Sequence, residues 1–158
     1  MSRVVNLLAL ELPEAPEPLP PGRDFRARSL TRDLGAKRTG LGIYEVAPGQ
    51  AHWPYHFELA EEEWLIVLAG EVTLRTPAGE RVLRVGDVAC FPAGVEGAHA
   101  VRNAGTEPAR FAMPSSSLGF ADGCVYPDSG SFVLRGPGFS HRGRLGEELG
   151  YWEAQEPA

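Results

Sequence analysis

Nineteen glycines and fourteen prolines are spread through a chain of 158 residues, roughly one residue in five against a usual level near one in eight. Proline removes a backbone donor and glycine resists ordering, so long helices do not form at this density. What remains is a set of short strands separated by tight turns. A mass of 17.1 kDa suits one domain. Leu, Ile, Val and Phe make up roughly 24% of the chain, above the level of about 20% below which chains stay disordered, so a core is available.

Charge and cysteine content narrow the partners. A net charge of −6 and a pI near 5.2 oppose adhesion to a nucleic-acid backbone. Basic residues crowd between Arg23 and Arg38, but Asp24 and Asp33 interrupt them and the stretch reads as a solvated face. Two cysteines are too few for a disulfide framework; both read as reduced thiols, with Cys90, inside Val88-Ala89-Cys90-Phe91, expected as a buried small hydrophobe. The apolar run Trp64 to Ala69 is far short of the roughly 18 residues that cross a bilayer. The apolar stretch Val4 to Leu12 contains Asn6 and Glu11, with no small-residue cleavage site after it. The expectation is a cytoplasmic protein with a small-molecule ligand and neither nucleic acid nor membrane as partner.

Along the chain, residues 1–39 read as an extended, Pro-rich N-terminal arm, residues 40–114 as the barrel core, and residues 115–158 as a C-terminal extension packing on the barrel or on a partner subunit. Strands are expected at 41–47, 53–58, 63–69, 71–76, 80–84, 88–91, 98–102 and 109–113, with turns at Pro48-Gly49, Pro77-Ala78-Gly79, Val85-Gly86-Asp87, Pro92-Ala93-Gly94 and Ala104-Gly105. Such spacing describes an antiparallel sandwich or barrel. A hairpin around Pro127-Asp128-Ser129-Gly130 follows, then a Gly-rich polar tail ending near Tyr151-Trp152, whose large rings suit docking on the body or a neighbour.

Three of the four histidines, His52, His56 and His99, lie in the β region. His56 and Glu58 are two apart and so share a strand face. Glu61, Glu62 and Glu63 stand just before the apolar strand, where three adjacent carboxylates repel unless a cation is near. Imidazoles and carboxylates converging from several strands suit a divalent first-row metal. Alternation places Glu63, Leu65 and Val67 on one face; Phe91, Leu65 and Val67 are expected to wall the pocket. His52 keeps parity with His56, which offers it as a replacement ligand or a group behind the ligands, with exposure on the rim the favoured reading; His141 reads as remote from the site.

At these residues the chain resembles the cupin superfamily, the small single-domain conserved-barrel (type 2) branch. One motif is carried by Gly49, His56-Phe57-Glu58, Glu63 and Gly70, the other by Gly86, Pro92-Ala93-Gly94, His99 and Asn103, with two extra residues before His99. The resemblance implies an all-β fold, a cupin-type antiparallel β-barrel (double-stranded β-helix or jelly roll), and often a homodimer. It implies metal ligands at His56, Glu58, Glu63 and His99, with Glu58 where a second histidine is usual. It also implies one divalent first-row ion, Mn, Fe, Zn or Ni. Two carboxylates would make the shell with a divalent ion formally neutral, favouring harder metals and weakening Lewis acidity. The functions implied are a metal-dependent enzyme on a sugar or organic acid (an isomerase, dioxygenase or decarboxylase), or a non-catalytic small-molecule binding or sensing cupin, with or without metal.

Overall fold

The computed structural model describes residues 3–15, 18–116 and 121–146. Within them the chain forms strands β1 (Phe25–Ser29), β2 (Thr39–Val46), β3 (Phe57–Glu58), β4 (Glu63–Ala69), β5 (Glu71–Thr76), β6 (Gly79–Arg84), β7 (Val88–Phe91), β8 (Ala100–Arg102), β9 (Ala109–Ser116), β10 (Asp122–Tyr126), β11 (Ser131–Gly136) and β12 (Phe139–Arg144). One helical turn, α1 (Thr31–Leu34), interrupts them. Among the described residues no helix is long and apolar enough to cross a membrane.

Pairing is antiparallel in three sheets, ordered β1-β2-β9-β4-β7, β12-β11-β10-β3 and β6-β5-β8. Strand alternation explains how they close. On β4, Leu65 and Val67 are 0% and 1% exposed and join Phe111, Val72, Leu74, Val101 and Phe91 in the barrel core. Their neighbours Ile66 and Leu68 point the other way, into a second cluster with Ile43, Leu30 and Leu12. Gly70 turns the corner into β5 at φ 68°, where a side chain would press on the Pro108 carbonyl at 2.8 Å.

Composition assigns the first 39 residues to an extended arm, and the structure gives that segment more order. The apolar stretch before Leu12 lies on the outer face of the five-stranded sheet, where Val5, Leu7 and Leu10 pack on the second cluster. Arg110 anchors it, donating from Nη1 to the carbonyls of Leu7, Leu8 and Leu10 while Glu45 accepts from Nη2 at 2.8 Å. β1 is a polar edge strand, Phe-Arg-Ala-Arg-Ser, in register with β2; only Phe25 and the small Ala27 pack on the core, so no apolar run announces it.

In the extension, β10 and β11 form the expected hairpin, and β10 adds to β3 with Cys124 opposite Glu58. The stretch read as a polar tail contributes β12, which pairs along the whole of β11. Tyr151 and Trp152 lie outside the described residues. Cys90 corrects its expectation. It is exposed, because β7 turns Phe91 into the core and its neighbour outward. Both cysteines are free thiols.

Candidate metal centre

One isolated strand bridge and one strand build the site. His56 and His99 are bridged partners, each backbone N–H donating to the other's carbonyl, at 3.1 and 2.8 Å. The imidazoles therefore leave the backbone side by side, with ring centroids 4.8 Å apart. β4 brings Glu63 up to them through the alternation that buries Leu65 and Val67.

Each ring is oriented from behind. The Nδ1 of His56 hydrogen-bonds the Pro54 carbonyl at 2.8 Å, and that of His99 the Gly97 carbonyl at 2.9 Å. A carbonyl only accepts, so both Nδ1 atoms carry the proton, and each ring, when neutral, turns an Nε2 lone pair toward Glu63. The stretch lengthened by two residues relative to the motif contains a 3-10 turn, Val95–Gly97, whose last carbonyl is the one that holds His99 Nδ1. Glycine is required there, since a Cβ at Gly97 would overlap the Pro92 carbonyl. Phe91 stacks flat on His99, centroids 3.8 Å apart, and fixes its plane.

Ligand atoms of His56, Glu63 and His99 all lie within 4.8 Å of one another. Glu63 Oε2 is 3.5 Å from His99 Nε2 and 3.9 Å from His56 Nε2. Atoms sharing an ion at bonds of about 2.1 Å stand roughly 3 to 3.5 Å apart, so the group is close to a coordinating arrangement. His99 Nε2 and Glu63 Oε2 are both buried without a hydrogen-bond partner. A cation is what such a pair of acceptors fits.

The electrostatics agree. Burial, then the charge of His56, lowers the His99 imidazole to about 4, so it is neutral and ligand-ready at pH 7. Burial, then Glu58, pushes the Glu63 carboxyl up to about 7; a divalent ion would reverse that cost. Burial opposes charge on His56, but hydrogen bonding to Glu58 and to the Pro54 carbonyl outweighs it and raises the ring's pKa.

Glu58 Oε1 lies 3.5 Å from His56 Nε2 yet stands outside the mutually close group of three. Glu62 is exposed, its backbone clamped to Ser116, which leaves Glu63 as the inward carboxylate of the three. His141 sits on β12 beside Phe132, as expected of a remote residue. His52 is not on the rim. It is 2% exposed inside a box of Phe25, Tyr44, Trp53 and Phe111 rings, and all but the adjacent Trp53 come from other segments of the chain. Sequence reasoning also missed Asp122, Cys124 and Tyr126, which the hairpin carries to the site. Tyr126 stacks near His56 at 5.7 Å, accepts a hydrogen bond from Cys124 at 3.1 Å, and is held protonated chiefly by burial.

A family model for the cupin domain matches residues 42–114, the stretch that holds both motifs and all three clustered ligands. Residues 42–114 are a cupin domain. Among solved structures it resembles the "Putative sugar phosphate isomerase" of Acidithiobacillus ferrooxidans at 25% identity and a TM-score of 0.76, over 90% of this chain and 93% of that one. A sugar phosphate isomerase of the cupin superfamily from Silicibacter pomeroyi shares the fold at 22% identity and a TM-score of 0.77, over 96% and 99%. The polyketide cyclase RemF from Streptomyces resistomycificus shares it at 24% and 0.59, over 73% and 80%. No curated protein matches the sequence.

Proposed function

We propose that this cupin is a metal-dependent enzyme acting on a small polar metabolite, with isomerisation of a sugar as the leading reaction. The observation that carries the reading is the pair of buried, partnerless acceptors, His99 Nε2 and Glu63 Oε2, facing the His56 ring. His56, Glu63 and His99 would hold the ion. A bound divalent ion would polarise a substrate oxygen and make the adjacent carbon acidic. The resemblance to the Acidithiobacillus protein over nearly the whole of both chains supports the sugar class.

The chain's own groups supply the rest. Glu58 stands beside the cluster with its side chain 17% exposed, within reach of a substrate as well as of His56. In that position a carboxylate takes a proton from one carbon and returns it to the next; with a proton passed from the neighbouring hydroxyl to the carbonyl oxygen, this completes an aldose–ketose isomerisation. Tyr126, kept protonated, offers a donor to a substrate oxygen. Phe91 and Leu65 supply the apolar wall that excludes water.

A second reading has its own support. His56 lies between Glu58 and Glu63 at 3.5 and 3.9 Å, so a protonated ring could hold the cluster together without metal in a binding or sensing cupin. Elemental analysis of protein purified without chelator, followed by turnover assays on aldose and ketose phosphates with stripped and reloaded protein, separates the two. Stoichiometric metal and metal-dependent turnover support the enzyme; turnover by metal-free protein refutes the metal's role. Metal retained in Glu58→Gln with turnover lost marks Glu58 as the base, whereas metal lost marks it as a ligand.

A further inference from the structure

A second cavity lies on the far side of the three-stranded sheet. Across β5 and β8, Leu74 pairs with Val101, and both enter the barrel core. The alternate residues Thr73, Arg75, Ala100 and Arg102 therefore project from the opposite face. There, with Arg23 and the segment around Trp53 and Tyr55, they line a cavity of about 240 Å³.

Three guanidinium groups meet in it, and two are already matched. Arg75 makes a bidentate pair with Asp128 at 2.6 and 2.9 Å and lies over the Tyr55 ring at 3.9 Å. Arg102 Nη2 donates to Glu80 at 2.8 Å. Those carboxylates cancel those charges. Arg23 is the remainder. Its Nη1 is buried and has no hydrogen-bond partner, and among the described residues its side chain makes no ion pair. A withdrawn guanidinium nitrogen without an acceptor is costly, and natural structures retain one mainly where something completes it. Thr73, buried on this face, adds a hydroxyl, and Trp53, 45% exposed, adds an aromatic surface at the edge.

We propose that this cavity binds a small oxyanion, the phosphate or carboxylate group of a metabolite, with Arg23 as the group that neutralises it. A guanidinium presents two parallel N–H donors to such an anion, a match that a lysine ammonium does not reproduce. The volume is below the roughly 300–1,000 Å³ of clefts that enclose drug-sized ligands, so the ligand is the anionic group with a small body lying on Trp53. The site is separate from the metal centre and stands whether or not the metal-dependent reading holds.

Calorimetric titrations with inorganic phosphate and with acetate, at constant ionic strength set by chloride, test it. The expected result is saturable binding of one anion per chain, unchanged in His99→Ala, tenfold or more weaker in Arg23→Gln, and intermediate in Arg23→Lys. Preference for phosphate or for acetate identifies which group the cavity takes. Equal binding by the wild type and Arg23→Lys, or binding that never saturates, overturns the proposal. So does binding lost in a folded His99→Ala, which would place the anion at the metal centre. If Arg23→Gln does not fold, Arg23→Lys decides alone, since it keeps the charge and loses only the fork.

Discussion

His99 and Asn103 flank the same three-residue strand, are 2% and 1% exposed, and belong to one sequence motif, yet their polar atoms are treated in opposite ways. Asn103 uses everything it has. Its Nδ2 donates to the Val46 carbonyl at 2.9 Å and to the Glu107 carbonyl at 2.8 Å, and its Oδ1 accepts from Gly105 at 2.9 Å. His99 commits Nδ1 to a carbonyl and leaves Nε2 empty-handed beside Glu63. A buried polar group with every bond made is a structural clamp; one held rigidly with a lone pair left over is a binding group. Motif membership does not separate the two, but hydrogen-bond accounting does.

The contrast is sharpest in paired substitutions. His99→Ala should weaken metal binding by more than about 100-fold, measured by competition with a chromophoric chelator, while chemical denaturation of the stripped protein changes little beyond the lost ring packing. Asn103→Ala should do the reverse. It removes the side-chain hydrogen bonds to two buried carbonyls and one N–H, so stability should fall by about 2–4 kcal/mol with metal still bound by the protein that remains folded. If Asn103→Ala costs nothing, or His99→Ala binds metal normally, the distinction is wrong.

A smaller effect probes the support behind His99. Gly97→Ala displaces the 3-10 turn whose carbonyl holds Nδ1, and should reduce metal affinity by about 10- to 100-fold without removing any ligand. An unchanged affinity would show that Phe91 alone orients the ring.

The subtlest test is the pH dependence of stripped protein. Glu63, raised to about 7 by burial and then Glu58, stabilises the fold below its ordinary value near 4.5, and that contribution fades as pH climbs through 7. His99, lowered to about 4 by burial and then His56, contributes fully above 6.5, and its contribution fades as pH falls toward 4. The two slopes oppose each other between about 4.5 and 6.5. Glu63→Gln should remove one of them, so that stability then rises with pH across that window. A flat profile in the variant would contradict the assigned shifts.

How far the sequence reaches follows from the range of the interactions. Strands β4 to β9 are legible because alternation and turn glycines are local, and the same local parity puts Glu63 with Leu65 and pairs His56 with the face of Glu58. The two-residue offset before His99 is visible in the sequence, but its purpose is not, because the Gly97 carbonyl acts through a turn that must first be folded. His52 misleads for a related reason: its burial is made by Phe25, Tyr44 and Phe111, each many residues away. β1 and β12 are edge strands rich in arginine or glycine, and edges need no apolar pattern. Tyr126 and Asp122 reach the candidate metal centre only because β10 adds to β3, a pairing between segments more than sixty residues apart.

Arg110 and the leading apolar stretch have a practical consequence. Three main-chain oxygens gathered by one guanidinium keep a greasy panel of Ile43, Ile66 and Leu68 wrapped. Trimming the first dozen residues, or pulling on them with a bulky fusion, would unwrap it. The barrel beneath would then meet other proteins with an adhesive side, turning a soluble preparation into one that clumps.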